Sequence, residues 1–288
     1  MAISALGYAC INASDLDKWQ QFACNVLGMQ AHRSEDGALL LRYDNRDWRL
    51  RIEQGGEDDI MALGWECSTQ ADYDDTLARL GAEAKPDPDL ARARGVCGLA
   101  TFTDPAGFRG ELYWGPTERT DSPFVSPIGI AGFVTDDQGL GHIAVATPDA
   151  DAFVAFYLKI GMAVSDYIDM RMGPNVLPLT FLHCNPRHHT LAVGPAPAPK
   201  RCLHLMVQAQ ELDDVGYSVD RAAKLDTPLA LTLGRHSNDE MISVYFQSPS
   251  GFELEYGWGA RTIGENWQVV RHDVISKWGH EFVGSHHD

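Results

Sequence analysis

The chain has 288 residues, 44% of them hydrophobic and 22% charged, a composition that supports a folded protein of two domains of roughly 100–150 residues each. Its 23 Lys and Arg against 40 Asp and Glu leave a formal net charge of −17, which repels phosphate backbones and anionic lipid and argues against a nucleic-acid partner. No apolar run reaches the ~20 residues that span a bilayer, the N-terminus lacks a basic start before an apolar stretch, and the six cysteines are scattered without a CxxC, so a cytoplasmic protein with reduced thiols is expected.

In chain order, LGYACI (6–11) reads as a strand and DLDKWQQFACNVLGM (15–29) as a helix that an Asp-containing turn caps and Gly28 stops. MALGWECST (61–69) is a second apolar strand, followed by the helix QADYDDTLARLGA, and the turn Asp104-Pro105-Ala106-Gly107 leads into a further strand. Polar, Pro and Gly residues between 117 and 135 mark a junction. The series then starts again: strand LGHIAV (140–145), a helix ending at Gly161, the strand and helix of CLHLMVQAQELDDVGYSVDRAA, and the turn Ser248-Pro249-Ser250-Gly251 into FELEYGW. A tail from Arg261 carries three aromatics expected to pack back on the body, with its last few residues frayed.

The two series match at a period of roughly 135–145 residues, too long for a solenoid, so the chain reads as an α+β protein of two duplicated domains, 1–130 and 131–288. Alignment of the copies sets Tyr8 against His142, Trp65 near His204 and Glu111 against Glu255; both copies hold the carboxylate and only the second holds two imidazoles. A lone His on an apolar strand is most often a satisfied core residue. Two of them with a glutamate on a third apolar strand call for a shared cation, because a carboxylate buried alone is costly. Two His and one carboxylate on one face of a divalent ion leave positions open, which suits non-haem Fe(II) oxygen chemistry and also serves zinc hydrolases.

The segments GLGHIAVATPD, FLHCNPRHHTLAV, PKRCLHLMVQAQELDDVGYSVDR, LGRHSNDEMISVYFQSPSGFELEYGWGARTI and VVRHDVISKWGH resemble the type I extradiol dioxygenases, especially the 2,3-dihydroxybiphenyl 1,2-dioxygenase group, and the resemblance covers nearly the whole chain. It implies the vicinal oxygen chelate fold, with paired βαβββ modules in each domain curling into an open barrel. It implies Fe(II) held in the C-terminal barrel by His142, His204 and Glu255, and an N-terminal barrel without metal. His189 falls on the family's catalytic histidine, with His188 as the alternative of the pair, and His236 and Tyr245 on its further catalytic positions. The implied reactants are a catechol and O2, the product a hydroxy-oxo-dienoate, and the assembly a homo-oligomer, octamers included.

For the pocket beyond the diol the resemblance points to Phe181 and Ile275, and to Val145, Met170 and Met172. Ala196 stands where biphenyl-type relatives carry a bulky Phe, which implies a wider pocket open to aryl-substituted or fused rings. Two other functions fit the same fold: a glyoxalase-like metalloenzyme, which needs no set such as His189, His236 and Tyr245, and a metal-free protein that binds an aromatic ligand, which has no use for three metal ligands.

Overall fold

The computed structural model describes residues 3–195 and 200–283, leaving aside the side chain of Met172. The first apolar run forms β1 (Ala5–Ala13) and leads to α1 (Leu16–Phe22), where Asp15 accepts the Lys18 N–H as N-cap; the helix continues as a π-helical turn to Gly28 at φ 85°. Three strands, β2 (Gln30–Arg33), β3 (Leu39–Arg42) and β4 (Leu50–Gln54), complete a βαβββ module. The second module has β5 (Asp59–Cys67), α2 (Gln70–Leu80), β6 (Lys85–Pro86), an added helix α3 (Pro88–Arg94), β7 (Val96–Thr103) and β8 (Arg109–Pro116).

After the connection through residues 117–141 the pattern recurs. One module holds β9 (His142–Ala146), α4 (Ala150–Lys159), β10 (Ala163–Met172), β11 (Asn175–His183) and β12 (Leu191–Gly194). The next holds β13 (Cys202–Gln208), α5 (Leu212–Lys224), β14 (Leu229–His236), β15 (Ile242–Gln247) and β16 (Glu253–Trp258). The first sheet runs β2-β3-β4-β1-β5-β8-β7-β6, and the second runs in the equivalent order β10-β11-β12-β9-β13-β16-β15-β14. Two strands of the tail, β17 (Val270–His272) and β18 (Ser276–Trp278), pair with β10 and β14 at the two ends of the second sheet. Residues 273–275 thus cross from one edge of the curled sheet to the other and narrow its opening.

One face of both sheets packs under the helices in a continuous core that includes Trp19, Phe22, Trp65, Phe153, Tyr157 and Phe246. The concave faces differ. In the first sheet Tyr8, Cys10, Leu40, Trp48, Leu99 and Tyr113 fill it, whereas in the second Ala144, Ile168, Phe181 and Ala192 leave a cavity. The halves also dock reciprocally on each other's closing turns: Trp19 of α1 donates to Ser250 Oγ at 2.9 Å, and Tyr157 of α4 donates to Asp104 Oδ2 at 2.8 Å. Among the described residues all six cysteines are free thiols, and no helix is long and apolar enough to cross a membrane.

Gly141 precedes β9 at φ 153°, where an added Cβ would stand 1.8 Å from the Met206 carbonyl oxygen of β13. Gly141→Ala should therefore push β9 off β13 and cost about 2–4 kcal/mol of stability, read as a lower denaturation midpoint. A melting curve superimposable on that of the wild type would contradict this packing.

Candidate metal centre and active site

Alternation sends every second side chain of a strand to one face, and register decides which of them meet. His142 on β9 lies opposite Met206 on β13, Met206 lies opposite Glu255 on β16, and His204 lies two residues before Met206. Three adjacent strands therefore present His142, His204 and Glu255 on the concave face. Their atoms converge: His142 Nε2 is 3.0 Å from His204 Nε2 and 3.1 Å from Glu255 Oε2, and His204 Nε2 is 3.4 Å from the same oxygen. Ligands at about 2.1 Å from one first-row metal ion, at right angles, lie about 3.0 Å apart, and this triangle fits that spacing. Glu255 Oε2, an apex of the triangle, is buried without a hydrogen-bond partner, so the donor set suits a divalent cation.

Burial would protonate Glu255, but the imidazoles of His142 and His236 beside it hold its carboxyl well below the usual range. Burial takes His204 down to about 3, which leaves a neutral ring with a lone pair to offer. Burial also opposes charge on His236, yet the hydrogen bond to Glu255 and that carboxylate's charge prevail and raise it to about 9.

The catalytic residues expected from the resemblance, His189, His236 and Tyr245, stand around the triangle. His189 is buried with its ring 4.0 Å from that of His142 and edge-on to Phe181 at 4.9 Å. Burial, then the neighbouring imidazoles, push it well below the ordinary histidine value, which favours the neutral ring. His236 Nε2 lies 2.8 Å from the Tyr245 hydroxyl and 3.2 Å from Glu255 Oε1. Burial and the charge of Glu255 keep that hydroxyl protonated.

A cavity of 340 Å³ opens beside these groups, lined by Phe181, Ile275, Met170, Ile168, Leu179 and Leu231 among others. Val145 borders it but packs in the helix-side core, and its neighbour Ala144 is the residue on the concave face. Met172 ends β10 with its side chain outside the described residues, and Ala196 lies outside them altogether. Two residues of the site lie in the family-like segments but are not singled out among them. The His280 ring lies tilted over His236 at 4.2 Å, held by Ser243 and Ser276, and Asp239 has a buried, unpartnered Oδ2 3.9 Å from His189 Nδ1. His280 comes from the tail, whose return to the sheet is a tertiary event, and Asp239 from the tight β14–β15 connection.

The first sheet keeps the same register, which allows a comparison residue by residue. Tyr8 opposes Gly64, Gly64 opposes Glu111, and Cys10 opposes Ala62, so Tyr8, Ala62 and Glu111 stand where the second sheet has His142, His204 and Glu255. Trp65, expected near the His204 position, matches Val207 instead; it lies three residues from Ala62, an odd step that turns it into the helix-side core. Glu111 is fully buried but has its own cation: Arg94 of α3 donates to it through Nε at 2.9 Å and Nη2 at 3.1 Å, Arg109 donates as well, and the Tyr8 hydroxyl donates at 2.6 Å.

Arg94→Met should therefore cost about 3–5 kcal/mol at neutral pH by stranding Glu111, with Arg109 too exposed to compensate fully, and adding Glu111→Leu should recover most of the loss. Burial would raise the Glu111 pKa, but Arg94 depresses it, so its contribution is present at neutral pH and lost as pH falls. In Arg94→Met burial prevails, and the stability gap to the wild type should narrow between about pH 7 and pH 4.5. Denaturant titrations at both pH values check this; equal stability of the single variant and the wild type would refute it.

Family models match in both halves: Dihydroxybiphenyl dioxygenase BphC D1 over residues 6–55, and Glyoxalase/Bleomycin resistance protein/Dioxygenase superfamily over residues 139–256. Biphenyl-2,3-diol 1,2-dioxygenase of Metapseudomonas furukawaii is 45% identical, covering 98% of this chain and 95% of the relative. The iron-dependent extradiol dioxygenase of Rhodococcus jostii is 37% identical, covering 98% of both. A crystal structure of catechol 2,3-dioxygenase matches with a TM-score of 0.92 at 33% identity, covering 97% of this chain and 95% of that one. With likeness that runs from end to end in both sequence and fold, the chain belongs to the extradiol dioxygenases of the glyoxalase/bleomycin resistance protein/dioxygenase superfamily.

Proposed function

We propose that the protein holds Fe(II) through His142, His204 and Glu255 and cleaves an aryl-substituted or two-ring catechol, such as 2,3-dihydroxybiphenyl, beside its diol, with both atoms of O2 entering the product. The observation that carries this reading is the triangle of ligand atoms 3.0–3.4 Å apart around a buried carboxylate, beside an apolar cavity. A bound ferrous ion supplies chelation of the two hydroxyls, a lowered pKa for them and an electron path between ring and oxidant.

The protein's own groups then have distinct tasks. His189, neutral and stacked beside His142, takes the second hydroxyl proton of the diol. Tyr245 retains its proton and donates a hydrogen bond to a substrate oxygen, while His236 is anchored by its contacts with Glu255, Tyr245 and the Ile275 carbonyl. Phe181, Ile168 and Met170 pack against the ring beyond the diol and fix its orientation.

Purified without air and supplied with ferrous ion, the wild type and Tyr8→Phe should each retain about one iron per chain, whereas His142→Ala should lose it. Equal iron loss in Tyr8→Phe would refute the assignment of the centre to the second barrel. A second ring that buries about 100 Å² of apolar surface gains about 2.5 kcal/mol, so kcat/KM for 2,3-dihydroxybiphenyl should exceed that for catechol by roughly 70-fold. Oxygen uptake and yellow product report the rates. A ratio near one would contradict the role given to the cavity, and no turnover of any catechol by iron-loaded protein would contradict the function itself.

A further inference from the structure

Behind His189 lies a file of buried groups that do not line the cavity. His188 Nδ1 is 3.1 Å from His189 Nδ1, and His188 Nε2 is 2.9 Å from Asp166 Oδ2. Asp166 is itself buried; its Oδ1 accepts the Val270 N–H at 2.8 Å, and His272 Nε2 stands 3.4 Å from Oδ2. Trp267 lies edge-on to the His188 ring at 5.1 Å and donates its Nε1–H to the Ser165 carbonyl at 2.8 Å.

The chemistry of these groups sets the direction of each hydrogen bond. A carboxylate can only accept, so the proton between His188 and Asp166 belongs to His188 Nε2. A neutral imidazole protonated there has a bare Nδ1, which accepts. Two ring nitrogens 3.1 Å apart bond only if one carries a proton; with Nδ1 of His188 bare, His189 carries it on Nδ1, leaving Nε2 bare. Asp239 Oδ2, 3.9 Å from the same His189 Nδ1, adds attraction for that proton.

We propose that Asp166 and His188 are positioning residues that hold His189 in the tautomer protonated on Nδ1 and bare on Nε2, the form able to take the substrate proton. The inference rests on the reading of His189 as the base. It also gives the tail a role in the reaction, because Trp267 and Val270 are what hold His188 and Asp166 in place.

Nitrogen-15 NMR of the imidazoles tests the proposal directly, in protein loaded with zinc instead of ferrous ion so that it stays diamagnetic, with the His189 signals assigned by their loss in His189→Gln. The wild type is expected to show a protonated Nδ1 and a bare Nε2 at His189. His188→Leu should move the proton to Nε2, and Asp166→Asn, whose amide can turn either end to His188, should mix the two forms. In the iron-loaded enzyme His188→Leu should lower kcat for 2,3-dihydroxybiphenyl about 10–100-fold, with KM changed less than about threefold and iron content unchanged. A wild-type His189 protonated on Nε2, as an imidazolium at His188 would impose, overturns the proposal without recourse to any variant. So does a His188→Leu enzyme with the tautomer reversed and kcat intact. Absence of turnover by the iron-loaded wild type would instead remove the reading of His189 as base and leave the tautomer measurement standing.

Discussion

A carboxylate kept ionised on the inner face of a β-sheet has to be given a positive partner, and this protein meets that requirement twice by different means. Glu111 and Glu255 occupy the same register position in the two sheets and are equally buried. In the first half the chain provides the partner: α3 brings the Arg94 guanidinium onto Glu111, and the Tyr8 hydroxyl completes its hydrogen bonding. In the second half no helix separates β14 from β15, and Glu255 faces only the imidazoles of His142, His204 and His236 and the polar groups around them. His236 brings a proton to one oxygen of that carboxylate, but His142 and His204 turn ring nitrogens to the other, where the first half has a guanidinium, and that difference makes one barrel a closed structural unit and the other a place for a divalent cation.

The same contrast explains where the cavity lies. Large inward residues such as Tyr8, Trp48 and Tyr113 fill the first concave face, the Tyr8 ring stacked on Tyr113 at 4.8 Å and tilted against Trp48 at 4.7 Å. The second face carries Ala144 and Ala192 at inward positions, so strand spacing leaves room that side chains do not occupy. The tail then bounds that room. By pairing at both edges of the sheet, β17 and β18 cover strands that would otherwise be open to other chains. In crossing between them the chain sets Ile275 on the cavity wall, with its carbonyl 3.2 Å from His236 Nδ1.

The site is also organised by where its imidazoles stand relative to one negative charge. His204 is driven neutral by burial, whereas His236, hydrogen-bonded to Glu255 Oε1, holds a proton more firmly than a free histidine. His189 lies outside hydrogen-bonding contact with Glu255 and turns its Nδ1 to His188. Side chains of one residue type are thereby placed in different electrostatic settings, the division of ligand, anchor and base that we propose, by contacts a few ångströms apart.

Much of this was legible in the sequence because duplication lets one half of the chain interpret the other. The strand and helix runs, the Asp caps, the glycine stops and the two closing turns depend on local chemistry, and the structure places them as that chemistry dictates. The excess of histidines over the first copy marked His142 and His204 without reference to any relative. Pairing His204 with Trp65 failed, because which residues of two strands face each other depends on register and bulges, and a step of three along a strand reverses the face. Arg94 as the partner of Glu111, the Asp166–His188 pair behind His189, and His280 over His236 all join residues that sequence separation gives no reason to associate. The sequence by itself determined the modules, their repetition and the residue types of the site. Only the tertiary structure decided which buried charge meets which partner, because that depends on how strands align and on where the tail returns.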